Sequence, residues 1–580
     1  MFKSLLIANR GEIAVRVIRA CRDLNVRTIA VYSDADAQAL HVRLADDACR
    51  IGAAPARDSY LNIDAVIAAA RDSGAEAVHP GYGMLSESAE FARAVTDAGL
   101  SYVGPPDEVV AVMGDKLAAR AAAEACGLPT LPGADALAID ETETRRRADE
   151  IGYPIAVKAC FGGGGRGIRI VHEQSALDAA LASAARESMT AFGRAEIYFE
   201  RYLDGPRHVE VQIVADRHSN VLHLGDRDCS VQRRHQKLIE EAPAPNLPAP
   251  LRDEMLRAAV ALARSVKYQG AGTVEFLVDR DLTAFYFLEM NTRLQVEHGV
   301  TEMVTGQDIV KLQLRAAAGE RLGFTQKQVR ITGHAIQARI AAEDPWRQFL
   351  PRPGRCTALR LPGGPGVRCD FGIETGDAIA GEYDSMFGKI QVLAADRESA
   401  RTRLSGALRE FSADGVITTA PYLEQVLRKA DFADVTHNTG SVERDWPPEG
   451  DAPVACQPTA QERSAVIATD RGSIAIRISS AAITTNTAAV ESNARATTAR
   501  GDVNAIISAD PVSPMDGLVL SVAVKIGDFV AIGDPIATLE AMKMEMPIVA
   551  QRAGQVSALN VQAGDTATTG LRLCSITPTA

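Results

Sequence analysis

Glu275, Glu289 and Asn291 are polar residues set in apolar surroundings. Glu275 lies in the β-type run GTVEFL (residues 272–277), and Glu289 and Asn291 close the run AFYFLEMN (residues 284–291). Strand alternation puts Glu289 and Asn291 on one face. The short polar stretch between the runs fits a hairpin loop that can bring Glu275 opposite them. Carboxylates among such residues are costly unless compensated. Two of them with an amide oxygen suit Mg2+, a hard oxygen-seeking ion. Directly downstream, Arg293, Gln295 and Glu297 alternate in TRLQVEH, which reads as a shared strand face. The arginine can hold a planar oxyanion with both arms, and the glutamate can serve as a base. A third group is Lys158, at the end of a strand that runs into GGGGRG (residues 162–167) and directly on into IRIV. Glycines let backbone N–H groups approach phosphate closely, and Lys158 adds a point charge there. The arrangement lacks GKS or GKT and is strand–loop–strand, so it is not a Walker P-loop. The entropy cost of so many glycines makes an idle surface loop the poorer account.

The elements that must position these groups are of two kinds. Residues 3–8 read as a strand, Asn9-Arg10-Gly11 as a turn, residues 12–24 as a helix and 27–32 as a second strand. This is a βαβ start of the nucleotide-binding α/β type, without the G-x-G-x-x-G of a dinucleotide site. HPGYG (residues 79–83) follows a third strand and serves equally as a tight turn or as ligand lining, with Glu87 just beyond it. Asp115 and Lys116 open an Ala-rich helix to about Cys126, in which Lys116 alone reads as a surface residue. The strand HVEVQI sets His208, Glu210 and Gln212 on one face, suited to nucleotide or phosphate contact or to solvent. Residues 225–230 (GDRDCS) read as a turn, and VQRRHQK (residues 231–237) as a basic run fit to line an anion cleft or a solvated surface. Arg339 sits in a β context, and a helix is expected over 399–411.

The C-terminal part is built on a repeat. Residues 517–539 and 554–576 match at an offset of 37, pairing Gly517 with Gly554, Val519 with Val556, Gly527-Asp528 with Gly564-Asp565 and Gly533 with Gly570. Both copies alternate apolar residues between Gly-Asp turns, the mark of a small quasi-symmetric β unit. Lys543, in EAMKMEM between the copies, falls where a hairpin tip would project. The bulk numbers describe a globular chain of several domains: 580 residues, 46% hydrophobic and 23% charged. A net charge of −12 argues against a general nucleic-acid surface. Nine scattered cysteines without a CxxC pair argue against a disulfide framework or structural zinc and fit a reducing cytoplasm. No apolar run reaches membrane length, and the N-terminal run is too short for a signal peptide.

The doubled unit with EAMKMEM between its halves resembles the biotinyl domain of biotin-dependent carboxylases. The resemblance implies covalent biotin on Lys543, carried on a tether that raises its effective concentration at each station. SPMDG stands here for the more usual APMPG, and Met546 for the usual Asn or Thr. Upstream, strand–GGGGRG–strand, HVEVQ, QRRHQK, EFL, LEMNTRLQVEH and QARIAAEDP resemble, in order and over about residues 1–447, the biotin carboxylase component, an ATP-grasp enzyme. That resemblance implies ATP binding by Lys116, Lys158, Gly164, Gly165, Glu200, Arg201, Tyr202, Leu203, His208, His235, Glu275 and Glu289. It implies a divalent metal, Mg2+ or Mn2+, on Glu275, Glu289 and Asn291. Bicarbonate falls to Lys237, Arg293, Gln295 and the backbone of Val296. Glu297 is implied as the base, within a catalytic set of Lys237, Arg293, Glu297 and Arg339. Arg339 is also placed at the biotin, where it would stabilise the enolate. Phe161 replaces a usually small residue beside the glycines, Arg201 a common Lys, and Gly299 and Ser385 each a Pro.

The expected fold is therefore an α/β ATP-grasp enzyme plus a small C-terminal all-β biotinyl domain. The former comprises a βαβ N-terminal domain, a mobile glycine-loop lid and an α+β C-terminal catalytic domain. The expected divisions are residues 1–114 for the N-terminal domain, 115–204 for the lid region, 205–447 for the catalytic part and 511–580 for the biotinyl domain. Residues 448–510, rich in Ala, Thr, Ser and Pro, read as a linker with a small hairpin over 464–479; carboxylases of this type often carry a sizeable docking domain there. The expected activity is ATP- and bicarbonate-dependent carboxylation of the chain's own biotin. No carboxyltransferase domain fits the remaining residues, so a separate carboxyltransferase (beta) subunit is expected to pass the carboxyl group to an acyl-CoA. A biotin protein ligase and a homo-oligomer of the carboxylase part complete the expected partners, with no nucleic acid and no membrane, in the cytoplasm. Two alternatives stay open: the ATP-consuming subunit of a two-subunit pyruvate carboxylase or related enzyme, and a non-catalytic biotin carrier scaffold.

Overall fold

The computed structural model describes residues 1–135, 141–159, 169–192, 197–452, 462–469, 472–479, 510–513, 517–541, 544–568 and 570–578. The βαβ start forms as expected. The strand Ser4–Ile7 leads into the helix Gly11–Asp23 and returns in Arg27–Ser33. These strands belong to a five-stranded parallel sheet in the spatial order Asp47–Gly52, Arg27–Ser33, Ser4–Ile7, Ala77–His79, Ser101–Tyr102. Its middle strand is wholly buried because helices cover both faces.

The catalytic part is built on an eight-stranded sheet. Its order is Phe285–Asn291, Gly270–Val278, Arg207–Ala215, Val221–Arg233, Gln236–Ala242, His334–Ala341, Met386–Ala394, Val367–Phe371, all antiparallel. One large core lies against its second half, with Ile336, Ile390 and Leu404 at 0% exposure. Residues 225–230 are not a turn; they run inside the strand Val221–Arg233. The turn-type residues form bulges instead. The partner strand advances from Val211 to Ile213 while this one spans Asp226 to His223, with Gly225 at φ +91°. A second register shift falls between Asp228 and Val231.

A separate four-stranded antiparallel sheet, in the order Gly133–Asp135, Ile197–Arg201, Ile155–Ala159, Arg169–Val171, lies within the stretch expected as a lid. It has its own small core, including Ile155, Val157, Leu177 and Phe199. The chain enters this unit beside Pro129, whose carbonyl accepts from Phe287 N at 2.8 Å, and leaves it at Pro206, whose carbonyl accepts from Thr439 N at 3.0 Å. By contrast, the N-terminal unit is fastened to the last part of the catalytic unit at several points. Tyr383 packs edge-on to Tyr60 and donates its hydroxyl to Ala54 O at 2.6 Å; Arg10 lies 4.2 Å over its ring; Arg43 pairs with Glu374 and Asp377, both at 3.0 Å.

The C-terminal repeat folds as two small sheets. Gly527 N donates to Val556 O and Gly564 N to Val519 O, each at 2.8 Å, so the sequence offset of 37 reappears as reciprocal hydrogen bonds. Strands Pro535–Ala541 and Met544–Val549 pair Ala541 with Met544. Lys543, between them, lies outside the described residues, as do Gly164 and Gly165. In the linker, Glu462–Thr469 pairs antiparallel with Gly472–Ser479. Among the described residues no helix is long and apolar enough to cross a membrane.

Candidate active site

The expected hairpin forms, with Glu275 directly across from Glu289 and Thr273 from Asn291. Asn291 Nδ2 donates to Glu275 Oε1 at 2.9 Å and reaches toward Glu289 Oε1 at 3.5 Å, while its Oδ1 accepts from Arg293 Nη2 at 2.8 Å. The amide nitrogen, not the oxygen, therefore faces the carboxylates, and Asn291 joins an oxygen donor set only by turning its amide. The carboxylate pair itself fits a divalent cation. Burial and the facing Glu275 both push the Glu289 carboxyl up, a shift that Mg2+ would reverse.

Lys237 is the hub of the site. Its Nζ lies 2.6 Å from Glu210 Oε2, 2.9 Å from Glu275 Oε1 and 2.7 Å from Glu297 Oε1. Glu297 uses its other oxygen on Arg339 Nη2, at 2.9 Å, and Arg339 Nε also donates to Glu240. Burial alone would raise the Glu297 carboxyl, but Lys237, Arg339 and Arg227 outweigh it and hold it well below the usual range. At Glu275 burial likewise loses to Lys237 and His208, and the carboxyl is lowered. Gln295 Nε2 donates to Glu275 Oε1 at 3.0 Å, and Arg293 bonds Gln295 Oε1 and Glu87 Oε2, both at 2.9 Å. Arg293, Gln295 and Glu297 thus come together, but not on a strand. Residues 292–297 form a loop, and Glu297 is the N-cap of the helix His298–Thr305. The alternating pattern there reflects a turn buried on both sides, not a pleat.

The shared face of His208, Glu210 and Gln212 is real but mostly closed. Glu210 serves Lys237 and the fully buried Arg227, and Gln212 Oε1 accepts from Arg227 Nη1 at 2.8 Å. Of the three only His208 reaches the cleft, with Nε2 at 2.8 Å from Glu275 Oε2. Neither nucleotide contact nor a solvated face describes Glu210 and Gln212; they are counter-ion and hydrogen-bond support for the floor.

A single cleft of about 1080 Å3 joins these groups. Lys116, Lys158, Glu200, Arg201, Tyr202, Leu203, His235, Lys237, Glu289, Arg293, Gln295, Val296 and Arg339 all border it. Glu297 does not; it lies beneath the floor at 0% exposure. Lys116 begins a helix capped by Asp115, whose carboxylate accepts from Leu117 N and Ala118 N. Lys158 pairs with Glu200; burial would lower its pKa, but Glu200 outweighs this and keeps it a cation. His235 sits at the tip of the hairpin joining Val221–Arg233 to Gln236–Ala242, with φ +64°, and burial and then Lys158 lower its pKa. The basic run is thus split. Arg234 and His235 form the tip, and Lys237 turns inward.

Sequence reasoning missed Arg227 and Glu240 as supports of the site, and Glu12 and Lys389 behind it. Their partners are distant in sequence, as with Glu240 and Arg339, 99 residues apart. For Arg227, Glu240 and Lys389 an alternating buried strand carrying a charge at a core position is the signal that could have pointed to them; Glu12 stands on a helix.

Known proteins resemble this chain in sequence and in fold. Residues 1–110 match the biotin carboxylase N-terminal domain, 115–325 the ATP-binding domain of the carbamoyl-phosphate synthase L chain, and 337–444 the biotin carboxylase C-terminal domain. Residues 505–576 match the domain of biotin-requiring enzymes. The chain is 42% identical to the biotin-dependent acyl-coenzyme A carboxylase alpha3 subunit of Mycobacterium leprae, over 99% of this chain and 98% of that one. It is 48% identical to a pyruvate carboxylase subunit of Methanothermobacter thermautotrophicus, over 74% of this chain and 88% of that one. Among solved structures, the biotin carboxylase domain dimer of Hydrogenobacter thermophilus 2-oxoglutarate carboxylase, with MgADP, ADP and bicarbonate, is 43% identical. It aligns with a TM-score of 0.75 over 78% of this chain and all of that one.

Proposed function

Because the chain belongs to the biotin-dependent carboxylases, as an ATP-grasp biotin carboxylase fused to its biotin carrier domain, we propose roles for its residues and an acceptor for its product. ATP, bicarbonate and a divalent metal are used in the cleft, and biotin is the carried cofactor. Lys116, Lys158, His208, His235 and the Glu200–Leu203 segment bind ATP, with Gly164 and Gly165 over its phosphates. Glu275 and Glu289, with Asn291, hold the metal. Lys237, Arg293, Gln295 and the Val296 backbone hold bicarbonate. When bound, Mg2+ supplies a Lewis acid for the phosphates and biotin the nitrogen that takes up the carboxyl group.

The observation that carries this reading is Lys237, bonded at once to Glu210, Glu275 and Glu297. One ammonium joins the metal-binding carboxylate to the base, so phosphoryl acceptance and proton removal share one charge centre. A bicarbonate oxygen attacks the γ-phosphorus as the bond to ADP breaks. The resulting carboxyphosphate splits to CO2 and phosphate. Glu297, freed from Lys237 as the anion takes its place, receives the bicarbonate proton, and the cations offset charge developing on the transferred oxygens. Arg339, already aligned by Glu240 and Glu297, holds the carboxyl acceptor.

Lys543 carries the biotin, attached by a biotin protein ligase, on the linker 448–510. A separate carboxyltransferase subunit receives the carboxyl group and passes it to an acyl-CoA. The full-length likeness to an acyl-CoA carboxylase alpha subunit supports this acceptor, and the dimeric relative supports a homodimer of the carboxylase part. The cysteines among the described residues are free, which supports a reducing cytoplasmic setting. The likeness to the pyruvate carboxylase subunit favours the second reading, in which the acceptor is pyruvate. The test is bicarbonate-dependent ADP formation with free biotin, followed by purification with the carboxyltransferase partner and parallel assays on acetyl-CoA, propionyl-CoA and pyruvate. Absence of ADP formation sinks the enzyme roles and leaves the carrier scaffold. Turnover of pyruvate alone sinks the acyl-CoA acceptor.

A further inference from the structure

Behind the floor of the cleft lies a charged group that none of the proposed steps uses. Lys389, on the strand Met386–Ala394, is 0% exposed. Its Nζ donates to Val296 O at 2.6 Å and lies 3.1 Å from Glu12 Oε1. Glu12 belongs to the first turn of the helix Gly11–Asp23, and the same carboxylate oxygen accepts from the Tyr82 hydroxyl. Burying a lysine is expensive, and the cost is recovered only where partners are well placed. Here the partners are a carbonyl of the bicarbonate turn and a carboxylate of another structural unit.

The same strand supports the turn a second time. Gln391 is fully buried, donates to Asp370 Oδ2 at 2.8 Å, and packs on Gly299, the residue in the first turn after Glu297. A Cβ on Gly299 would lie 1.7 Å from Gln391 Oε1, so the glycine at a position where Pro is usual makes room for this contact. Lys389 and Gln391, two apart on one strand face, therefore hold residues 296 and 299 from behind.

We propose that Lys389 is a positioning residue for the carboxylation site. Resting on the roles proposed above, it fixes the 295–297 turn, and hence the Gln295 and Val296 bicarbonate contacts and the Glu297 carboxylate. Through Glu12 it ties that turn to Tyr82 on the wall of the cleft. Lys116, Lys158, Glu200 and His235 stand on other elements; of the ATP-side groups Glu275 meets the turn, through Gln295 and Lys237.

The test uses the full-length chain in wild-type form and as Lys389→Met, Glu12→Gln and the double variant. KM for bicarbonate, KM for MgATP, kcat of biotin carboxylation and Tm are measured for each. Lys389→Met is expected to raise KM for bicarbonate and lower kcat, together on the order of 10²-fold in kcat/KM, with KM for MgATP unchanged. The double variant leaves no unpaired buried charge, so it keeps the comparison valid if Lys389→Met fails to fold. It is expected to regain Tm but keep the bicarbonate defect. A double variant with wild-type KM for bicarbonate overturns the proposal, because Lys389 would then only neutralise Glu12. Parallel rises in both KM values overturn it as well. A wild-type protein without bicarbonate-dependent ADP formation overturns the site assignment beneath it; active wild type with an indifferent Lys389→Met overturns this inference alone.

Discussion

Replacing Lys237 with Gln should damage both catalysis and stability, and the pH dependence of the second effect identifies its cause. The ammonium is within 2.9 Å of three carboxylates, and its side chain is 10% exposed. Removing one partner of a buried ion pair costs about 3–5 kcal/mol. Glu210 retains Arg227 and Glu297 retains Arg339, so the lower figure, about 3 kcal/mol at neutral pH, is expected. In the wild type, Glu275 and Glu297 have lowered pKa values because Lys237 and its fellow cations outweigh burial. Such carboxylates contribute stability above their unfolded pKa and lose it as pH falls through the folded one. Without Lys237, burial pushes both upward, and they take up protons at higher pH. The variant's deficit in Tm should therefore be largest near pH 8 and shrink steadily toward pH 5. Differential scanning calorimetry across that range, with a parallel ADP-release assay, measures both effects. ADP release that depends on bicarbonate should fall on the order of 10²- to 10³-fold. A deficit that is constant with pH, or grows on acidification, would refute the three-carboxylate account. Near-normal bicarbonate-dependent ADP release would remove Lys237 from the mechanism.

Lys543→Ala should leave ATP hydrolysis with free biotin intact while abolishing coupled carboxylation; coupled product without added biotin would refute the assignment of Lys543. Glu343 gives a prediction of opposite sign to that at Lys237. Burial, opposed by a hydrogen bond from Ser385, raises its carboxyl from 4.5 to about 7. The wild type therefore loses stability as pH rises from about 4.5 through 7, by about 3.5 kcal/mol at about 1.4 kcal/mol per pH unit. Glu343→Gln should gain Tm over wild type at pH 8 and gain nothing at pH 4.5, and an equal gain at both would show that the carboxyl is not the cause.

What was legible followed from local pattern. Glu275, Glu289 and Asn291 could be placed together because a hairpin with a short loop has few registers. The doubled β unit was legible because each copy supplies the other's partner: Gly527 bonds the second copy's valine and Gly564 the first copy's. At Arg293, Gln295 and Glu297 the same alternation misled, since polar and apolar residues also alternate in a loop whose side chains are held by neighbouring elements rather than by a pleat. The GDRDCS segment misled through its turn-type composition, which a bulged strand also accommodates. The support beneath the floor was illegible for a different reason. Glu12, Val296 and Lys389 belong to three elements, and no local preference reports that three distant segments share one charge. Glu87 meets Arg293 across 206 residues in the same way.

The fastening of the N-terminal unit has a consequence for how the molecule breathes. Tyr383, Arg10 and Arg43 clamp that unit to the end of the catalytic part, so one wall of the cleft is fixed by side-chain contacts as well as by the chain. The four-stranded unit of residues 133–201 is attached differently, by two strands of chain pinned at Phe287 and at Thr439. Those two points, with the Arg120–Glu200 ion pair at 3.8 Å, define the line about which that unit would turn. The opposite wall, which carries Tyr82 and the buried carboxylate floor, is fastened by side-chain contacts and would keep its register as that unit turns.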